Sequence, residues 1–173
     1  MVENRGTVYL YTGEDAGKTT SALGLALRCL GHYYKVVIIQ FLKWWKNTGE
    51  YKFKRKMPSN YEICQFGRKG WIGLRNLTDK DRQLCRKALN IAKKKAKEKP
   101  RLLVLDEINL ALDTKLLDVN EVIDFLKTVP KETSVVLTGR HASRQLVEFA
   151  DFVNEILDIK RPEQIPTVKG IQY

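Results

Sequence analysis

Thr12-Gly13-Glu14-Asp15-Ala16-Gly17-Lys18-Thr19-Thr20 decides the reading of this chain. Ahead of it stands a short apolar run, Thr7-Val8-Tyr9-Leu10-Tyr11, and behind it an apolar pattern with helical spacing. A strand, a glycine-punctuated loop and a helix start, in that order, build an anion site out of backbone. The loop N–H groups point inward, and the helix N-terminus adds partial positive charge. Gly13, Glu14, Asp15, Ala16 and Gly17 form the loop, and Lys18 is placed to reach phosphate oxygens. Thr19 offers its hydroxyl to a magnesium ion riding on those phosphates. Gly13 and Gly17 enclose three residues, one fewer than the usual P-loop spacing. A bare helix cap is the plainer reading, and a second motif downstream disfavours it. The residues point to a bound nucleotide.

Outward from the loop, strands and helices alternate. Strand one covers about 7–12. A helix runs from Gly17 to about Leu30 with Ala22, Leu23, Ala26, Leu27 and Leu30 on one stripe, and Gly31 is expected to close it. Lys35-Val36-Val37-Ile38-Ile39-Gln40-Phe41 is continuously apolar before its glutamine, as in a parallel strand buried on both faces. A polar and aromatic stretch, 42–60, precedes a strand near 61–66 and a glycine-bearing loop near 67–77. Thr78 caps a helix with Asp81 at its third position, and that helix ends near Lys97, before Pro100. A strand at 101–107, a helix near 119–128, a strand at 134–138, a short helix near 142–149 and a last strand near 151–158 follow. The tail, about 159–173, reads as irregular. The expectation is one domain over 1–173 of α/β class, P-loop NTPase-like (RecA-like), with a mostly parallel sheet and helices on both faces. Ligands then bind at the carboxyl ends of the strands.

The 173 residues are 43% hydrophobic and 29% charged, an ordinary globular balance. No run approaches the roughly 18 apolar residues of a membrane span, so no membrane partner is expected. Met1-Val2-Glu3-Asn4-Arg5 lacks the apolar stretch of a secretory leader. Cys29, Cys64 and Cys85 show no paired or metal-finger spacing and suit buried thiols in a reducing cytoplasm. A net charge of +11 raises nucleic acid as a partner. Much of that excess lies in Lys93-Lys94-Lys95-Ala96-Lys97-Glu98-Lys99 at a helix end. A solvated lysine face at the negative pole of a helix dipole explains it better.

Asp106-Glu107 ends the most apolar strand. Two carboxylates at a strand end beside a P-loop are the pattern of a metal-and-phosphate site, and burying them is costly unless a cation compensates. Thr138-Gly139-Arg140-His141 ends another strand on the same rim, with Arg140 able to meet phosphate charge. His141 and His32 read as structural. Phe41, Lys43, Trp44, Trp45, Gly49 and Glu50 suggest a lid or a platform for a flat second substrate, or else packing against the body or a dimer partner. Trp71, between Gly70 and Gly73, invites the same question.

Taken together, these residues resemble the P-loop type of ATP:corrinoid adenosyltransferases. The resemblance runs nearly end to end: Tyr11-Thr12-Gly13 into Gly17-Lys18-Thr19-Thr20, Leu23-Gly24-Leu25-Ala26-Leu27-Arg28, Val37-Ile38-Ile39-Gln40-Phe41-Leu42-Lys43 with Gly49-Glu50, Leu105-Asp106-Glu107-Ile108-Asn109, Leu137-Thr138-Gly139-Arg140, and Lys169-Gly170-Ile171-Gln172-Tyr173. It implies transfer of the 5′-deoxyadenosyl group of ATP to Co(I) of a corrinoid such as cobalamin, with release of triphosphate. Lys18, Thr19 and a magnesium (or manganese) ion would take up triphosphate charge, and Asp106 and Glu107 would hold the metal. Thr20, Arg28, Gln40, Lys43 and Arg140 join the binding set by the same analogy. Trp71 matches an aromatic beside the corrinoid that displaces the lower cobalt ligand. A homodimer and a flavodoxin-type reductase are the implied partners. Glu14, Asp15 and Ala16 depart from the family loop, and the acidic pair is tolerable beside triphosphate only if both side chains turn outward. Lys160-Arg161 replaces a lysine-histidine pair. A P-loop kinase or ATPase, and a non-catalytic nucleotide-gated binding module, are the competing readings.

Overall fold

Six parallel strands form one sheet in the order β3-β2-β4-β5-β1-β6. The strands are β1 (Val8–Thr12), β2 (Val36–Phe41), β3 (Tyr61–Phe66), β4 (Leu102–Asp106), β5 (Ser134–Thr138) and β6 (Phe152–Glu155). Between them lie α1 (Lys18–Gly31), α2 (Gly49–Phe53), α3 (Asp79–Ala96), α4 (Ile108–Asp113), α5 (Val119–Lys127) and α6 (Arg144–Phe149). This computed structural model describes residues 4–57, 59–70 and 76–173. Trp71 and Gly73, on which the corrinoid expectation leans, lie outside the described residues.

Alternate strand residues face opposite layers, so a strand buried on both sides must be apolar throughout. Val37, Ile39 and Phe41 of β2 join Leu103, Leu105, Val135 and Leu137 against α3, α4, α5 and α6. Val36 and Ile38 join Leu102, Val104 and Val136 against Ala22, Ala26 and Leu30 of α1, with Tyr51 and Phe53 of α2 at the margin. Burying each such large aliphatic side chain contributes about 1.5–3 kcal/mol relative to leaving it exposed. Gln40 and Thr138 are the polar residues of β2 and β5 that are fully buried, and both serve the site described below.

The start of α3 follows its sequence signal. The Asp81 carboxylate accepts from the Thr78 N–H at 2.8 Å and from the Thr78 hydroxyl at 2.9 Å, while Arg68 pairs with the same side chain at 2.7 Å. Elsewhere the elements differ from expectation. Gly31 is the last residue of α1, and the left-handed position falls on Tyr33 (φ 59) instead. The stretch 42–60 holds α2, a single turn opened by a glycine. The chain re-enters a helix, α4, directly after β4. Cys85 is buried, whereas Cys29 and Cys64 are partly exposed. The basic run of α3 spends charge on ion pairs: Lys93 with Glu121 at 2.7 Å, and Lys95 with Glu62 at 2.8 Å and Glu98 at 3.0 Å. Among the described residues no helix is long and apolar enough to cross a membrane.

Candidate nucleotide and metal site

The sheet order sets β4 between β2 and β5, and β5 beside β1. The carboxyl ends of these four strands therefore meet at one rim, where Gln40 stands level with Asp106 and Tyr11 level with Thr138. The loop from β1 into α1 turns through Gly13 (φ 106) and Gly17 (φ 114), both in the left-handed region that favours glycine. A Cβ on Gly13 would lie 2.3 Å from the Ile156 carbonyl oxygen, so the segment after β6 leaves no room for a side chain there. Lys18, only 7% exposed, bends back over its own loop and donates to the carbonyls of Gly13 (2.6 Å) and Asp15. Burial lowers its pKa, as does Arg140, against opposing pulls from Glu107, Glu14 and Asp15.

Asp106 is the centre of the cluster. Its Oδ1 accepts from the hydroxyls of Thr19 (2.8 Å) and Thr138 (2.7 Å). Its Oδ2 accepts from Lys43 Nζ (2.7 Å) and Gln40 Nε2 (2.9 Å). Burial alone would raise this carboxyl. The Lys43 charge and the bonds from Lys43, Thr138 and Thr19 outweigh it and hold the pKa below the ordinary carboxylate range. Lys43 moves the other way: burial opposes its charge, but Asp106 and Glu107 raise it. Gln40 accepts in turn from Gln65 Nε2 at 2.9 Å, so an amide chain reaches from edge strand β3 to the carboxylate.

Glu107 diverges from its neighbour. It adopts a left-handed conformation (φ 64, ψ 22) at the head of α4, and its N–H donates to Thr138 Oγ1 at 3.0 Å. Its carboxylate stands at the rim, 3.9 Å from Lys43. Burial and the Asp106 charge raise its pKa, against Lys43, Lys18 and Arg140. Thr138 thus links both acids, and buried Asn109 ties β1 to β5 by donating to Gly139 O at 2.9 Å and Tyr11 O at 3.4 Å. Composition does not flag Thr138 or Asn109. For Thr138 the signal was a polar residue closing an otherwise apolar strand, whereas Asn109 lies inside α4.

The acidic loop residues do turn outward. Glu14 meets His141 Nε2 at 2.9 Å and Arg140 at 3.9 Å. Asp15 accepts from the Asp158 N–H at 3.0 Å and from Arg161 at 3.3 Å. His141 also meets Asp113 at 2.8 Å through Nδ1, so its imidazole spans the loop and the end of α4. The bond to Asp113, with the charges of Glu14 and Asp113, raises its pKa above the ordinary 6.5 against the opposing pull of burial. Raised by folding, the imidazolium bridge is present in full below the ordinary value and is lost as pH climbs through the folded one. A proton NMR titration of His141 should give a midpoint above 6.5, lowered but not abolished as a shift in Glu14→Gln, because Asp113 remains. A wild-type midpoint at or below the ordinary value contradicts the bridge.

The structure thus brings together Gly13, Gly17, Lys18, Thr19, Gln40, Lys43, Asp106 and Glu107, with Glu14, Asp15, Ala16 and Arg140 around the loop's outer side. Thr20 is exposed on the first turn of α1. Arg28 lies ten residues beyond Lys18 on the exposed side of α1, about 15 Å away by helix rise. Its charge is felt at Tyr11, two residues before Gly13. Trp45 stands half exposed with Trp44 packed edge-on at 6.5 Å.

A glycine loop leading from an interior parallel strand into a helix, with a carboxylate at the end of β4, one strand removed across β5, bonded to Thr19, defines a P-loop α/β protein. Within that class, residues 4–173 match the profile of ATP:corrinoid adenosyltransferase BtuR/CobO/CobP, and the chain belongs to this family of transferases. A corrinoid adenosyltransferase of Sinorhizobium sp is 34% identical over 177 aligned positions, covering 99% of this chain and 82% of its own. Another from Pseudomonas aeruginosa is 32% identical, with 99% and 85% covered, and one from Escherichia coli K12 is 30% identical, with 91% and 80% covered.

Proposed function

We propose that this protein transfers the 5′-deoxyadenosyl group of ATP to the Co(I) centre of a reduced corrinoid and releases intact triphosphate. Cobalt supplies the electron pair of the new cobalt–carbon bond at C5′, the C5′–O5′ bond breaks, and triphosphate leaves with the electron pair of that broken bond. No protein nucleophile is needed, so the chain's task is positioning and stabilisation of a leaving anion. The observation that carries the reading is the 2.8 Å bond from Thr19 Oγ1 to Asp106 Oδ1, which joins the phosphate loop and the carboxylate strand in one site.

The loop amides and Lys18 would grip the polyphosphate, with Arg140 at its flank. The outward turn of Glu14 and Asp15 supports this, since two free carboxylates at the mouth would oppose a triphosphate anion. The donor set suits magnesium: a hydroxyl and two carboxylates converge on one cationic point, now taken by the Lys43 ammonium at 2.7 Å from Asp106, 3.1 Å from Thr19 and 3.9 Å from Glu107. Thr19, Asp106 and Glu107 would hold the ion, which when bound neutralises charge on the departing polyphosphate. Gln40 and Thr138 orient Asp106 and would touch no substrate.

The reading includes a flavodoxin-type electron donor, since Co(I) requires a reductant, and a reducing cytoplasm, which three unpaired thiols suit. A homodimer belongs to it as well, supported by exposed Phe152 and Val153 of edge strand β6 and Leu157 and Ile159 just beyond it. Incubation with ATP, magnesium and chemically reduced cobalamin should give the light-sensitive spectrum of a cobalt–carbon bond. A spectrum identical to that of an enzyme-free control would overturn the proposal.

A further inference from the structure

We propose that Lys43 is a tethered cation: its ammonium holds the Thr19–Asp106–Glu107 oxygens together while no divalent ion is bound, and the ion enters by displacing it. The inference rests on the metal reading of these residues given above. Asp106 has no acceptor capacity to spare, because each oxygen already takes two donors. Three of those donors, Gln40, Thr19 and Thr138, are neutral, so Lys43 alone supplies the full charge that opposes a buried carboxylate. Thr19 Oγ1 donates its proton to Asp106 and accepts from Lys43 at 3.1 Å.

A magnesium-type ion needs lone pairs on these oxygens at about 2.0–2.1 Å. It cannot take them while the ammonium sits at 2.7 Å from Asp106, because the two positive charges would lie side by side in a partly dry site. One must leave. The backbone supports the exchange: Leu42 is left-handed (φ 58) and fixed by its N–H bond to Phe66 O at 2.9 Å, which turns Lys43 back over the rim. Beyond that fixed pivot, a four-carbon stem lets the ammonium swing without backbone movement. Polyphosphate arriving with the divalent ion gives the displaced ammonium a new anionic partner. Ion and nucleotide therefore bind together, and the ion alone binds poorly.

The test is a manganese EPR titration without nucleotide on the wild type and on Lys43→Met. The variant should bind Mn2+ about tenfold or more tightly than the wild type, since the competing charge is gone. Its melting temperature should fall below that of the wild type and recover with Mn2+, whereas Mn2+ alone leaves the wild type unmoved. If the variant is unfolded without the ion, recovery of the helical circular-dichroism signal on adding Mn2+ is the supporting result, and no recovery overturns the inference. Equal Mn2+ affinities also overturn it. The same titration with ATP separates the two levels. A wild type that binds Mn2+ with ATP, beside a variant that gains nothing without it, removes this inference alone. A wild type that binds no Mn2+ even with ATP removes the metal reading and the inference with it.

Discussion

Asp106→Asn should lower stability by about 2–3 kcal/mol and turnover by about 10²–10³-fold. The substitution keeps the volume but replaces one acceptor oxygen by an NH2 group. Four donors converge on the carboxylate, and an amide facing Lys43 and Gln40 sets donor against donor. Removing one partner of a buried ion pair costs about 3–5 kcal/mol. The lower figure applies here because Lys43 is 30% exposed and Glu107 stands 3.9 Å away as a second partner. For a chain of this length the loss corresponds to a fall of about 5–10 °C in Tm. Thermal unfolding and steady-state kinetics on one preparation check both parts. An unchanged Tm would mean the carboxylate is not the hub of the rim.

Lys18→Ala should act almost wholly on function, with about 10³-fold loss of turnover and little change in fold. The ammonium already sits over the loop on the carbonyls of Gly13 and Asp15, so it reaches an incoming phosphate without reorganisation. Its removal leaves those two carbonyls short of a donor, worth about 1–2 kcal/mol. That loosens the loop but leaves the sheet and both apolar layers untouched. ATP binding should weaken while the far-ultraviolet circular dichroism stays native. Wild-type turnover in this variant would show that the loop does not handle the polyphosphate.

The residues that made the fold legible are those whose environment is set by near neighbours in sequence. The run Val36-Val37-Ile38-Ile39 announced a strand covered on both faces, and Thr78 with Asp81 announced a helix start that the structure completes with hydrogen bonds. Strand ends at Thr12, Asp106 and Thr138 announced the rim. The short helices α2 and α4 were not visible, because one turn carries too little periodicity, and α4 begins from a left-handed glutamate without a side-chain cap. Gly31 looked like the turn residue, but the close of α1 is made two residues later, where Tyr34 N bonds Cys29 O and Tyr33 takes the positive φ.

Within the site, Lys18, Thr19, Asp106 and Glu107 were legible because loop spacing and strand ends are local signals. The outward turn of Glu14 and Asp15 was readable only as a requirement. It is met by His141, Arg140, Arg161 and the Asp158 N–H, partners more than a hundred residues away. The place of Arg28 at the far end of α1 follows from helix rise, whereas its inclusion in the site came from resemblance alone.

Phosphorus NMR of the inorganic product, after turnover with ATP and chemically reduced cobalamin, tests the central claim most directly. Intact triphosphate is expected, because the polyphosphate is gripped as a unit while the ribose methylene faces the attacking cobalt. Orthophosphate with ADP, and an unaltered corrinoid, would show instead that the rim presents the terminal phosphoryl group, as a kinase or ATPase does.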